Sequence, residues 1–212
     1  FGSALIAVLG VTAGAAVVLA GTDVALVALL REQDAVQLLG VMFVCWCGGS
    51  MVGGVVYGAL SRPVPSQVLL LGLAVLTPPV GLATSPVALG VLLAVAGGLC
   101  APVIVATTEA VSRLVPEESR GEAMGWHGSS MTIGTALGAP VAGAVIDAFG
   151  AWAGFLGVGL VGGVLAALGL AAQRSREARG ALVPGAVVPG QAAPAVPGAL
   201  PDPTESVPEI VH

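Results

Sequence analysis

Two ionisable side chains lie inside long apolar stretches of this 212-residue sequence. Asp23 is the only acid well inside such a stretch, and Arg31 follows about two helical turns later. His127 follows Trp126 near the start of another stretch, and histidine titrates near neutral pH. Each is therefore a candidate for proton coupling or substrate contact. The alternatives are an interfacial or paired acid for Asp23 and an interfacial Trp-His anchor for His127.

Two further patterns carry structural information. Glu109 lies four residues before Arg113, a spacing that predicts an ion pair on one helix face worth about 0.3–0.5 kcal/mol. A later segment combines small residues with a helix breaker: Gly125, Gly134, Gly138, Pro140 and Gly143. Proline removes a backbone hydrogen bond and glycines allow close approach, so this segment predicts a bending helix or a permanently kinked, packed one.

The composition determines the class of protein. Apolar residues make up 56% of the chain and charged residues 9%, against roughly 25% charged in soluble domains. A mean hydropathy of +1.00 excludes a soluble enzyme and a disordered regulator. The net charge of −5 and the absence of lysine argue against nucleic acid as a partner. The three cysteines match no metal or redox spacing, so no metal or cofactor is expected. These features predict an all-α integral membrane protein surrounded by lipid.

Six apolar runs are long enough, or nearly so, to cross a bilayer. They are Ser3–Leu30, Gln37–Leu60, Gln67–Leu82, Pro86–Val111, Glu122–Ile146 and Ala151–Ala172. The third is the weakest because it is short and contains Pro78-Pro79. With this count, six arginines fall on one side of the membrane and only Arg31 on the other. The positive-inside rule then predicts that both ends are cytoplasmic.

The organisation along the chain follows from the same pattern. Residues 1–175 are predicted to form the six-helix bundle, and residues 176–212 a disordered, acidic cytoplasmic tail rich in proline and alanine, with three acids after residue 180. The sequence opens on Phe1 without a signal peptide, which suggests that it begins within a longer protein. The lack of lysine and asparagine fits GC-rich codons and a bacterial source.

Three segments resemble the major facilitator superfamily. The glycine-rich segment is similar to the family's helix-five signature G-x8-G-x3-G-P-x2-G-G, with Ala139 inserted and Ala144 in place of the last glycine. Residues 115–125 resemble the P-x3-R-x-x-A-x-G loop between the fourth and fifth helices. Residues 58–62 resemble a shortened G-x-L-S-D-R-x-G-R-R motif that lacks the acid and the later basic residues.

The resemblance implies the C-terminal six-helix half of a secondary transporter of about twelve helices, and not an enzyme. A small-molecule substrate would bind between this half and a missing N-terminal half, from the same chain or a second copy. The implied transport is by alternating access in the cell membrane, with a proton gradient as the driving force. The small number of charged residues available to a cavity favours apolar or cationic substrates and hence efflux. An inner gate would use four charged residues: Arg62, Glu109, Arg113 and Arg120.

Two alternatives remain open at this point. The first is a stand-alone six-helix scaffold or homodimer, which would have to cover its polar face by pairing. The second is an intramembrane serine protease, because Gly48-Gly49-Ser50 and a distant His127 resemble the serine–histidine pair of rhomboid proteases. Replacing Ser50 with alanine would abolish cleavage by such a protease.

Overall fold

The computed structural model describes residues 2–181, with side chains described up to residue 175. It contains α-helices and short 3₁₀ turns, and no strand occurs within this range. The helices are α1 (Ser3–Glu32), α2 (Leu39–Gly58), α3 (Ser66–Leu76), α4 (Pro86–Gly97), α5 (Cys100–Leu114), α6 (Arg120–Phe149) and α7 (Ala151–Ala181). The all-α class predicted from composition is confirmed. The backbone of α7 passes the expected boundary at residue 175, and the predicted tail from 182 onwards lies outside the described residues.

The helices correspond to the six predicted spans. Five segments are long and apolar enough to cross a membrane, whereas the third, Ser66–Leu82, is shorter. Its α-helix stops at Leu76 and a 3₁₀ turn continues over Pro78–Leu82, because two consecutive prolines cannot donate backbone hydrogen bonds. The fourth span is broken into α4 and α5. Pro102 cannot donate to Gly98, so the break falls where the helical hydrogen bonds are already interrupted.

The bundle is built around α1. In the most apolar 18 residues of α1, 56% of the residues are buried, whereas the share is 11% in the span of α2 and 17% in the span of α6. α1 packs most extensively against α6 and α7, and its core residues include Val11, Val18 and Leu30. α2 and α6 consequently carry the largest uncovered surfaces of the bundle.

Glycines permit the closest helix contacts. Gly134 and Gly138 of α6 lie against the backbone carbonyls of Ala13 and Val17 in α1, where no Cβ atom would fit. Gly49 and Gly53 of α2 lie equally close to the backbone of α4 and the break that follows it. By contrast, a Cβ atom at Gly125 or Gly143 would meet nothing within 4 Å. Two glycines four residues apart therefore indicate a close helix–helix contact at some positions and not at others.

The two ends of the bundle differ. One end, here called the arginine-rich end, holds the start of α1, the loop after α2, the turn between α5 and α6, and the last described turns of α7. At the opposite end, the last side chain of α1 and the one that follows it form hydrogen bonds with two neighbouring segments. Glu32 Oε1 accepts a hydrogen bond from the backbone N–H of Ala151 at 2.9 Å, at the start of α7. Gln33 Nε2 donates to the carbonyl oxygen of Ala83 at 3.1 Å.

Candidate functional site

Asp23 lies on the uncovered side of α1. It is the only exposed residue of α1 between Ile6 and Arg31. Arg31 follows eight positions later, which places Asp23 about 12 Å below Arg31 along the helix axis. No acid–base contact within 4 Å involves Asp23 in the part of the chain that the structure describes. The carboxyl group thus lies at membrane depth and faces outward from the bundle.

A cavity of about 590 Å³ opens beside Asp23, between α1, α2 and α6. Glu32, Asp147 and Arg31 also line it, so the acids outnumber the single arginine. The remaining lining is apolar or small and includes Phe43 of α2. A concave surface with this charge balance attracts cations and cationic groups.

The break in the fourth span brings polar groups towards the same side. Cys100, the first residue of α5, interacts with the side chain of Ser50 in α2 and lies within electrostatic range of Cys47 and Asp23. Cys100 is half-buried, as a packing residue would be, whereas Cys47 is exposed. Interrupted helices at membrane depth often accompany binding sites in transporters, because they present polar atoms there. Sequence reasoning did not identify this break.

Helix α6 has three distinct faces. The buried face packs on the bundle and includes Ala123, Gly134 and Ala142. A second, exposed face carries the large side chains Trp126, Ile133 and Leu137. A third face is uncovered and, between Gly125 and Gly143, carries small or hydroxyl-bearing residues. Its members, at helical spacing, are Gly125, Ser129, Thr132, Ala136 and the half-buried Gly143. Because Gly143 also lines the cavity beside Asp23, this third face continues that surface.

His127 lies on the buried face of α6 and is 6% exposed. Its Nε2 is 3.1 Å from the hydroxyl oxygen of Thr107 in α5. The Thr107 hydroxyl already donates its hydrogen to the carbonyl oxygen of Ile104 at 2.8 Å, so it accepts from His127. With this donation, the hydrogen bond between the two side chains requires the His127 tautomer that carries its proton on Nε2. No hydrogen bond joins Ser50 to His127 among the described residues, where the ring of His127 contacts Thr107 instead.

The Thr107 hydroxyl should stabilise the fold through its contact with His127 as well as through its hydrogen bond to the carbonyl oxygen of Ile104. Thr107→Val keeps the side-chain shape but removes the acceptor, leaving the Nε2–H of His127 buried without a partner. We expect a loss of about 1–3 kcal/mol in unfolding free energy, measured by denaturation in detergent. Thr135→Val is the control, because that exposed hydroxyl bonds only to Met131 of its own helix at 3.0 Å. Equal losses in both variants would contradict the shared hydrogen bond.

The four residues of the predicted gate are only partly brought together. Arg113 and Glu109 form the predicted i,i+4 ion pair, at 3.6 Å, with exposed side chains. Arg62 follows α2 and Arg120 begins α6, both at the arginine-rich end. Neither forms an ion pair with an acid among the side chains described. Only the pair of Arg113 and Glu109 is therefore observed, and the gate of four charged residues remains a prediction.

The predicted hinge segment forms one continuous helix. α6 continues through Pro140 to Phe149 without a break, and Gly134 and Gly138 are packed, whereas Gly125 and Gly143 are not. Tyr57, the only tyrosine of the chain, lies near the end of the second span and was not among the residues that the sequence singled out. Within the described residues no group of three or more His, Cys, Asp or Glu side chains is arranged to hold a metal ion.

Comparison with known proteins gives one match. The family model described as Major Facilitator Superfamily matches residues 3–199, which is most of the chain. No curated protein and no solved structure matches it. The family match agrees with the long apolar spans of the bundle. The chain belongs to the Major Facilitator Superfamily of membrane transporters.

Proposed function

We propose that this bundle is one half of a proton-coupled secondary transporter that exports small apolar or cationic molecules. The second half is another six-helix bundle, from the same chain or a second copy. The substrate path runs between the two halves, along α1, α2 and α6. The protein lies in the cell membrane of a bacterium with both ends of this segment in the cytoplasm, as the arginine distribution indicates.

The third face of α6 carries this proposal. A helix surface that only meets lipid is covered by large apolar side chains, as the face with Ile133 and Leu137 is. The face of Ser129 and Thr132 offers no such side chains, yet it is exposed in the bundle. Small and hydroxyl-bearing residues instead suit contact with a second bundle or with a water-filled path. Asp23, exposed on the same side, supplies an ionisable group at membrane depth.

The remaining predicted residues take roles within this proposal. Asp23 carries the coupled proton, and His127 contributes to the path through its contact with α5. Arg62, Glu109, Arg113 and Arg120 close the cytoplasmic end when the path faces outward. Gly125, Gly134, Gly138, Pro140 and Gly143 let α6 move against its neighbours. The cavity beside Asp23 has an excess of acids, which supports a preference for cationic substrates.

Thiol labelling tests the proposed path. In a protein whose native cysteines are replaced by serine, Thr132→Cys places a thiol on the third face of α6. Ile133→Cys, one residue later, places it on the face with large apolar side chains. A charged, membrane-impermeant thiol reagent should label Thr132→Cys at least about tenfold faster, because a thiol reacts as thiolate and does not ionise in hydrocarbon. Labelling would be done on intact membranes of cells that express the protein.

The two positions are matched controls for each other because they share helix, depth and chemistry. Equal labelling rates, or faster labelling at position 133, would contradict a water-filled path along the third face. Protection of Thr132→Cys by a transported cationic dye would connect the same surface to the substrate.

A further inference from the structure

A second cavity, of about 330 Å³, lies inside the arginine-rich end of the bundle. Its walls come from α1, the end of α2 and the loop that follows it, α3, α5 and α7, and it shares no lining residue with the cavity beside Asp23. Apolar side chains such as Val8, Val64 and Leu114 form much of the lining. The volume is at the lower end of the range for small-molecule sites, about 300–1,000 Å³.

A buried tyrosine in this cavity has no hydrogen-bond partner. Tyr57 is 8% exposed, and its hydroxyl is fully buried without a partner among the described residues. Glu109 and Arg113, which line the same cavity, both act electrostatically on this hydroxyl. A buried hydroxyl without a partner destabilises a fold by about 1–3 kcal/mol, so a bound group that accepts its hydrogen would be stabilised there.

Other polar groups are arranged around the same space. Gln67 is 5% exposed, and its Oε1 is 3.5 Å from the Ser66 hydroxyl. Its Nε2 makes no hydrogen bond with any described residue, so it has hydrogens to donate. Glu109 and Arg113 are 3.6 Å apart, which is longer than a strong charge-assisted hydrogen bond. Each of the two charges can therefore accept or donate to a ligand.

We propose that this cavity binds a small zwitterion, a molecule with an ammonium group next to a carboxylate or phosphate. The acidic oxygens take hydrogen bonds from Tyr57, Gln67 and Arg113, and the ammonium group contacts Glu109. The apolar walls hold a short aliphatic part. An apolar amino acid has this chemistry, and so does the ethanolamine-phosphate headgroup of a lipid. The cavity is separate from the surface around Asp23, although it shares Glu109 and Arg113 with the proposed gate, and its binding test requires no transport.

Equilibrium binding to the purified full-length protein tests the site. The probes are L-leucine, its analogue 4-methylpentanoate without the ammonium group, and glycerophosphoethanolamine. Tyr57→Phe should weaken binding of the zwitterion about tenfold, because it removes one buried hydrogen bond. Glu109→Gln should weaken it about tenfold or more, because a charged contact is lost. 4-Methylpentanoate should bind about tenfold less tightly than L-leucine.

The control is Ser112→Ala, which removes a hydroxyl from α5 outside this cavity, bonded only to Thr108 at 3.1 Å. It should leave binding unchanged. Binding of L-leucine that is sensitive to both variants identifies a free amino acid as the ligand. Binding of glycerophosphoethanolamine alone, with the same sensitivity, identifies a lipid headgroup. No saturable binding of either probe, or binding that survives both variants in folded protein, overturns the proposal.

Discussion

Asp23→Asn is expected to abolish proton-driven transport while leaving the fold intact. The substitution keeps the side-chain shape but removes the one exposed carboxyl group at membrane depth on the uncovered side of α1. A group that cannot ionise cannot take up a proton on one side of the membrane and release it on the other. In inside-out vesicles energised with a proton gradient, accumulation of a cationic dye such as ethidium should therefore fall to the background of vesicles without the protein. Gradient-independent exchange of the dye should persist.

The matched control is Asp34→Asn, the same substitution just beyond the end of α1. Asp34 has a φ of 51°, a left-handed backbone conformation that asparagine also tolerates, so the loop should keep its shape. We expect this variant to transport like the unmodified protein. If Asp23→Asn also keeps its gradient-driven transport, Asp23 is an interfacial acid and coupling lies elsewhere.

Gly134→Val is expected to disrupt the contact between α6 and α1. A Cβ atom there would meet the carbonyl oxygen of Ala13, and would approach the Cβ of Ala16 to 2.7 Å. Backbone atoms cannot rotate away as a side chain can, so the two helices would have to separate. We expect a loss of about 3 kcal/mol or more, at the upper end for overpacked cores. Thermal unfolding of the purified protein in detergent, followed by tryptophan fluorescence, measures the loss.

Gly125→Val provides the comparison within the same helix. It changes helix propensity by the same amount, but its side chain meets open space. Apart from this shared effect on helix propensity, the unfolding free energy of Gly125→Val should differ from that of the unmodified protein by no more than about 0.5 kcal/mol. Two variants that melt at the same temperature would show that α6 does not pack on α1 through Gly134.

The sequence predicted features that depend on local composition. Apolar length located all six spans, and Pro78-Pro79 correctly marked the third as the weak one. The pair Glu109 and Arg113 followed from the pitch of one helix. The break before Cys100 was missed because the residues around it are apolar, so hydropathy does not change there.

Features that depend on packing between helices could not be predicted. Thr107 and His127 are separated by the turn between α5 and α6, and only their helix rotations show that they meet. The glycines of the hinge segment share one motif, yet contacts with α1 separate Gly134 and Gly138 from the other two. Tyr57 belongs to a cavity whose walls come from five helices and one loop, a geometry that sequence spacing does not contain.

The hydrogen bonds of Glu32 and Gln33 fix one end of α1 in position. They hold one end of a 30-residue helix to the start of α7 and to the segment at Ala83. At 1.5 Å per residue the helix is about 45 Å long, so a tilt of about 5° at the held end moves its far end by about 4 Å. That far end includes Val8, a wall of the cavity at the arginine-rich end. Because Leu5 and Val8 are buried there with Val111 and Ala123, such a tilt would move the cavity wall together with the parts of α5 and α6 packed against it.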